Sequence, residues 1–213
     1  MKSHQKGFTL VEIAIVLVII GLLLGGVLKG QELITQAKIK NVANDLNGMS
    51  AAIYGYQDRY KKFPGDDDQA ESRWTSPTTK KGDGNGSVGA TGEKAVLDCA
   101  NASKDLENCR FWQHLRLAGF VGGDSATTNA PQNAAGGLLQ AQNGALGLSG
   151  LTICTTNLPG KIANAIDAQF DDGKPGTGQV RGTNVATAID TKLADTAGYT
   201  DDGNTTYVVC KAQ

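Results

Sequence analysis

A lone carboxylate, Glu12, interrupts an apolar run that begins at Phe8 and ends at Leu28. An ionised group there is costly in hydrocarbon, so it either meets a cation or snorkels to the interface. A second set of oxygen-bearing side chains lies further on. Asp66, Asp67 and Asp68 are consecutive, and Lys81-Gly82-Asp83-Gly84-Asn85-Gly86-Ser87 alternates oxygen donors with glycine. This alternation points Asp83, Asn85 and Ser87 the same way around a turn, as ligands of a hard cation such as calcium. The twelfth position counted from Asp83 is Lys94, where an EF-hand needs glutamate, so that motif is absent. Asp171-Asp172 and Asp201-Asp202-Gly203-Asn204 are further acidic turns. The same residue types are also the ordinary material of turns.

Cys99, Cys109, Cys154 and Cys210 allow three pairings. An even count in an exported domain reads as disulfides. Cys99 and Cys109 are close in sequence, and Cys154 and Cys210 sit on two strand candidates, which favours Cys99–Cys109 with Cys154–Cys210. No C-x-x-C occurs, and His4 and His114 lie far from any cysteine cluster, which argues against zinc. Catalysis finds little support: there is no G-x-S-x-G and no phosphate loop ending in G-K-[ST]. The expectation is a non-enzyme with no cofactor, calcium being the one candidate.

The elements that must position these residues follow from composition and pattern. The 213 residues hold 20 Lys+Arg against 21 Asp+Glu, so nucleic acid is not expected as a main partner. The 28 glycines and 5 prolines predict many turns but neither collagen nor a disordered polymer. As a helix, residues 8–28 span roughly 30 Å, one bilayer core. Lys2 and Lys6 precede this block and predict a cytoplasmic N-terminus, with the remainder exported. A cleaved secretory signal fits poorly, because the apolar core is too long and no A-x-A site follows. A plain signal anchor fits the length but leaves Glu12 without a partner.

Gly7-Phe8-Thr9-Leu10-Val11-Glu12 followed by an apolar run resembles the signature of type IV pilins and the pseudopilins of type II secretion. The resemblance is close over residues 7–28 and looser along the helix beyond. It implies cleavage by a membrane aspartic prepilin peptidase between Gly7 and Phe8, then N-methylation of Phe8. Glu12 falls where the family keeps its assembly glutamate. The implied partners are copies of the chain, other pilins or pseudopilins, and an inner-membrane platform driven by a cytoplasmic ATPase. Membrane lipid surrounds the helix before assembly. Some secretion pseudopilins hold calcium in their globular domain, and family pilins often close a C-terminal loop with a disulfide. One position departs from the pattern: many members carry proline where Lys29 stands. Gly21, Gly25, Gly26 and Gly30 supply helix-weakening residues there instead.

Beyond residue 30, Ile39, Val42, Leu46, Met49, Ile53, Tyr56 and Tyr60 recur at spacings of three and four, one apolar stripe on a helix that Pro64-Gly65 ends. Residues 64–98 read as an irregular loop, 103–119 as a short helix and 121–150 as unassigned. Leu151–Thr155 reads as a strand, Pro159–Phe170 as a helix and Thr205–Lys211 as a final strand. The expected fold is α+β, pilin-like, with a long N-terminal helix packed on a small antiparallel sheet. The expected divisions are a leader (1–7), a membrane and filament-core helix (8–30), its amphipathic half (31–63) and an exported globular domain (64–213). The functional expectation is a structural subunit polymerising from the inner membrane. The alternative is a signal-anchored periplasmic domain that binds calcium or another ligand and does not polymerise.

Overall fold

A computed structural model describes residues 9–89, 99, 106–185, 189, 193–194 and 197–213. The chain divides into two units, one up to Lys38 and the other Ile39–Gln213. Helix α1 (Leu10–Tyr60) supplies all the regular structure of the first unit and enters the second. In the first unit its large apolar side chains from Leu10 to Leu28 are uncovered, from 46% exposed at Ile20 to 86% at Leu10. The helix is long and apolar enough to cross a membrane. It runs unbroken through Gly21, Gly25, Gly26 and Gly30.

In the second unit α1 presents the expected stripe. Val42, Leu46, Met49, Ile53 and Tyr56 are buried, and Ile39 and Tyr60 pack at its margins. Lys61 turns left-handed, with φ 57°, and ends the helix. Two further helices face the same core, α3 (Glu107–Leu117) and α4 (Gly160–Phe170), while a single turn, α2 (Ala70–Arg73), interrupts the long loop after α1. α3 closes with a Schellman motif. Gly119 at φ 79° donates to the Arg116 carbonyl, and Phe120 donates to the Leu115 carbonyl at 2.9 Å.

Four antiparallel strands complete the unit: β1 (Leu139–Asn143), β2 (Leu151–Pro159), β3 (Val180–Thr183) and β4 (Thr206–Ala212), in the order β1-β2-β4-β3. Side chains alternate between the two faces. Ile153, Tyr207 and Val209 join the α1, α3 and α4 core, whereas Cys154, Val208 and Cys210 join Leu146, Leu148 and Ile189 on the other side. The fold is therefore α+β, a long N-terminal helix with a small antiparallel sheet. Several segments differ from their sequence reading, among them β3, for which the sequence reading has no strand. β1 lies within the stretch left unassigned, and β2 runs on to Pro159 because a bulge after Thr155, with Asn157 at φ 59°, lets Leu158 pair with Tyr207. The 103–119 helix begins at Glu107; residues 103–105 and 90–98 lie outside the described residues.

Cys154 and Cys210 stand directly opposite in the β2–β4 register and are joined, and Cys99 is joined to Cys109 of α3; no described cysteine is free. The bridges close loops of 56 and 10 residues. In the chain-entropy view these contribute about 4 and about 3 kcal/mol respectively by restricting the unfolded chain. Unreduced protein is expected to give no thiol reaction in denaturant. Peptide mapping is expected to recover the two bridges, and Cys154→Ala with Cys210→Ala is expected to lower stability more than Cys99→Ala with Cys109→Ala.

Candidate functional site

Two constellations carry chemistry, one in each unit. In the first, Thr9 precedes the first turn of α1 and Glu12 lies three residues on. The Thr9 N–H and Oγ1–H both donate to Glu12 Oε2 at 2.8 Å, and the Glu12 N–H donates to Thr9 Oγ1 at 3.3 Å. This is a capping box, which satisfies helix-end donors reciprocally. The Thr-x-x-Glu pattern is visible in the sequence, and the cap is a role for Glu12 beyond those of intramembrane charge and assembly glutamate. Gly7 and Phe8 lie outside the described residues.

The second constellation sits where the loop after α1 meets the start of α3. Gly82 and Gly84 donate to the carbonyls of Asp67 and Asp66 at 2.9 and 3.1 Å, pairing the two halves of the loop. A Cβ at Gly82 would run into the Asp66 backbone, and one at Gly65 into the Glu107 carbonyl. Only glycine permits these approaches, which bring Asp66, Asp83 and Glu107 together. One carboxylate oxygen from each lies within 4.8 Å of the other two. Glu107 accepts the Asp83 N–H on Oε1 at 2.9 Å and the Gly89 N–H on Oε2 at 3.1 Å. Asp66 accepts the Gly86 N–H on Oδ2 at 2.9 Å, while its Oδ1 is buried without a hydrogen-bond partner. Two ionised carboxylates at such a separation repel by about 3.5 kcal/mol at an effective dielectric of about 20. Burial, with the neighbouring Asp83, raises the Asp66 carboxyl above its ordinary value. Burial, with Asp83 and Asp66, does the same to Glu107.

The structure does not bring the rest of the sequence-based cation set into this cluster. Asp67 is held by the Tyr56 hydroxyl at 2.7 Å, by Arg73 and by the Gln69 N–H, and these donors outweigh burial and lower its carboxyl. Asp68 faces Lys62 at 3.2 Å. Asn85 donates its side-chain amide to Asp83 at 2.7 Å and accepts the Ser87 N–H at 2.7 Å, so it shapes the turn. Ser87 Oγ accepts the Asn143 amide at 3.5 Å. Glu107, twenty-four or more residues from every acidic residue of that set, carries no sequence signal beyond its place at the start of a helix.

His114, buried in α3, anchors the same loop. Its Nδ1 accepts the Gly65 N–H at 2.9 Å, which leaves Nε2 as the protonated nitrogen, donating to the Lys80 carbonyl at 2.9 Å. Burial lowers its pKa to about 4.

Residues 2–28 match the family described as the prokaryotic N-terminal methylation motif. This motif is the hallmark of the type IV pilin and pseudopilin signal, so the chain carries a prepilin-type N-terminus. No curated protein matches the chain.

The buried imidazole makes stability depend on pH. An unfolded histidine takes its proton near 6.5 and native His114 only near 4. Its contribution is therefore complete above pH 6.5 and declines as pH falls toward 4, by about 3 kcal/mol in all. A soluble fragment covering residues 31–213 holds this single histidine. Its ring resonances are expected to titrate near pH 4 by NMR; a midpoint near 6.5 would contradict the buried, neutral assignment.

Proposed function

We propose that the chain is a structural, non-enzymatic subunit that assembles from the inner membrane into a type IV pilus or a type II secretion pseudopilus. The observation that carries this reading is the methylation motif at residues 2–28, in which Glu12 is the lone charge of an apolar run. Residues 1–7 are a leader removed by prepilin peptidase, and Phe8 becomes the methylated N-terminus. Lys2 and Lys6 keep the leader cytoplasmic, and the domain after the membrane helix is exported. An assembly platform and a separate ATPase supply the force, and neighbouring pilin-like subunits are the partners.

The uncovered apolar surface of α1 supports this reading, because lipid before assembly and neighbouring helices afterward both give it an apolar environment. Glu12 then has two roles that differ in their demands. Capping the helix requires an acceptor at its position, which glutamine also provides. Pairing with the basic amine of a neighbour's Phe8 requires the negative charge, and that pair sets axial register because the two charges meet at one stagger. Glycine at position 7 leaves the peptide bond to be cut unobstructed by a side chain.

Mass spectrometry of the assembled protein is expected to find N-methyl-Phe8 at the mature N-terminus, and Gly7→Val is expected to remain uncut. In cells without a wild-type copy, Glu12→Gln and Glu12→Ala are both expected to be inserted and processed yet to yield few or no filaments. Wild-type filament yield from Glu12→Gln would reduce Glu12 to a helix cap, and an intact Met1 on the mature protein would remove the prepilin reading altogether.

A further inference from the structure

We infer that Asp66, Asp83 and Glu107 bind one calcium ion, which ties the loop after α1 to the start of α3. The inference stands apart from the filament reading and rests on two observations. The first is convergence: residues from three separate positions in the sequence bring carboxylate oxygens within 4.8 Å of one another. Oxygens on one calcium ion sit about 2.3–2.6 Å from it, so ligands on opposite sides are about 4.6–5.2 Å apart, twice that distance. The second is Asp66 itself. Its side chain is 1% exposed, and Oδ1 has neither a hydrogen-bond donor nor contact with solvent. A buried anionic oxygen without a partner is costly, and a cation at the cluster would supply what is missing.

The surrounding charges do not supply it. Among the described residues the nearby ion pairs use other carboxylates, Lys62 with Asp68 and Arg73 with Asp67, and none includes Asp66, Asp83 or Glu107. The backbone N–H groups of Asp83, Gly86 and Gly89 hold the carboxylates in place through single bonds, leaving lone pairs for an ion. The donors are hard oxygens, which select calcium or magnesium over zinc. Asp83 is exposed and Glu107 and Asp66 are buried, so the ion enters from solvent and keeps water on one side. Magnesium demands a rigid octahedron and gives up its water reluctantly, so a flexible Gly-rich loop favours calcium.

Calorimetric titration of the full chain in detergent micelles with calcium chloride tests the site. The expected result is one ion per chain with a Kd of about 10⁻⁴–10⁻³ M, the range of extracellular modules. Magnesium chloride is expected to bind more weakly. Glu107→Gln and Asp83→Asn are each expected to weaken calcium binding at least about tenfold. Asp172→Asn, in the acidic turn after α4, is expected to leave it unchanged. Asp83 is exposed and its replacement leaves the buried packing alone, so Asp83→Asn decides the matter if Glu107→Gln does not fold. Absence of saturable calcium binding by the wild-type chain, or equal affinity in Asp83→Asn and wild type, overturns the assignment.

Discussion

The apolar surface of α1 between Leu10 and Leu28 has no cover from the rest of its own unit, and this deficit governs the protein. Large apolar side chains 46–86% exposed over about five turns of helix are not compatible with a free existence in water. They require an apolar environment such as a lipid bilayer supplies. The Thr9–Glu12 capping box begins the helix at the edge of that surface, where an unsatisfied helix end would add its own cost. One carboxylate thus completes the helix locally while keeping a charge beside the apolar run.

The second unit solves a different problem with the same helix. Its stripe from Val42 to Tyr56 buries against α3, α4 and one face of the sheet, so the helix is also the central member of that unit's hydrophobic core. The loop that follows is anchored from three directions. His114 holds its two ends at Gly65 and Lys80, Arg73 and Tyr56 hold Asp67, and Glu107 gathers the backbone of Asp83 and Gly89. Arg59 adds a fastening between α1 and the end of α3. It donates to the Ala118 carbonyl at 3.0 Å and lies 4.7 Å from the Phe120 ring centroid.

The helices were legible in the sequence because their apolar spacing is strong and their ends carry glycine or proline: the stripe through Tyr56, Gly119 after α3, Pro159 before α4. β1 was not. Its residues, Leu139-Gln-Ala-Gln-Asn143, have neither β-branched nor aromatic side chains, and pairing with β2 rather than local preference makes them a strand. The acidic turn was visible, but the identity of its members was not. Consecutive aspartates at 66, 67 and 68 point to three different partners, and only folding decides which one faces Asp83. Glu107 reaches the cluster through tertiary packing around Gly65, a contact that sequence spacing does not encode.

The strand order β1-β2-β4-β3 places the strand that comes last in sequence between two that precede it. β3 hydrogen-bonds to β4 alone, and β2 has one open edge until β4 arrives. The sheet therefore cannot close progressively as the chain is made from its N-terminal end. Until residues 206–212 are available, the upstream strands present unpaired edges and a lone Cys154 thiol without its mate. Synthesis and sheet closure are separated in time by topology alone, and any factor that guards nascent edges or thiols has that interval in which to act.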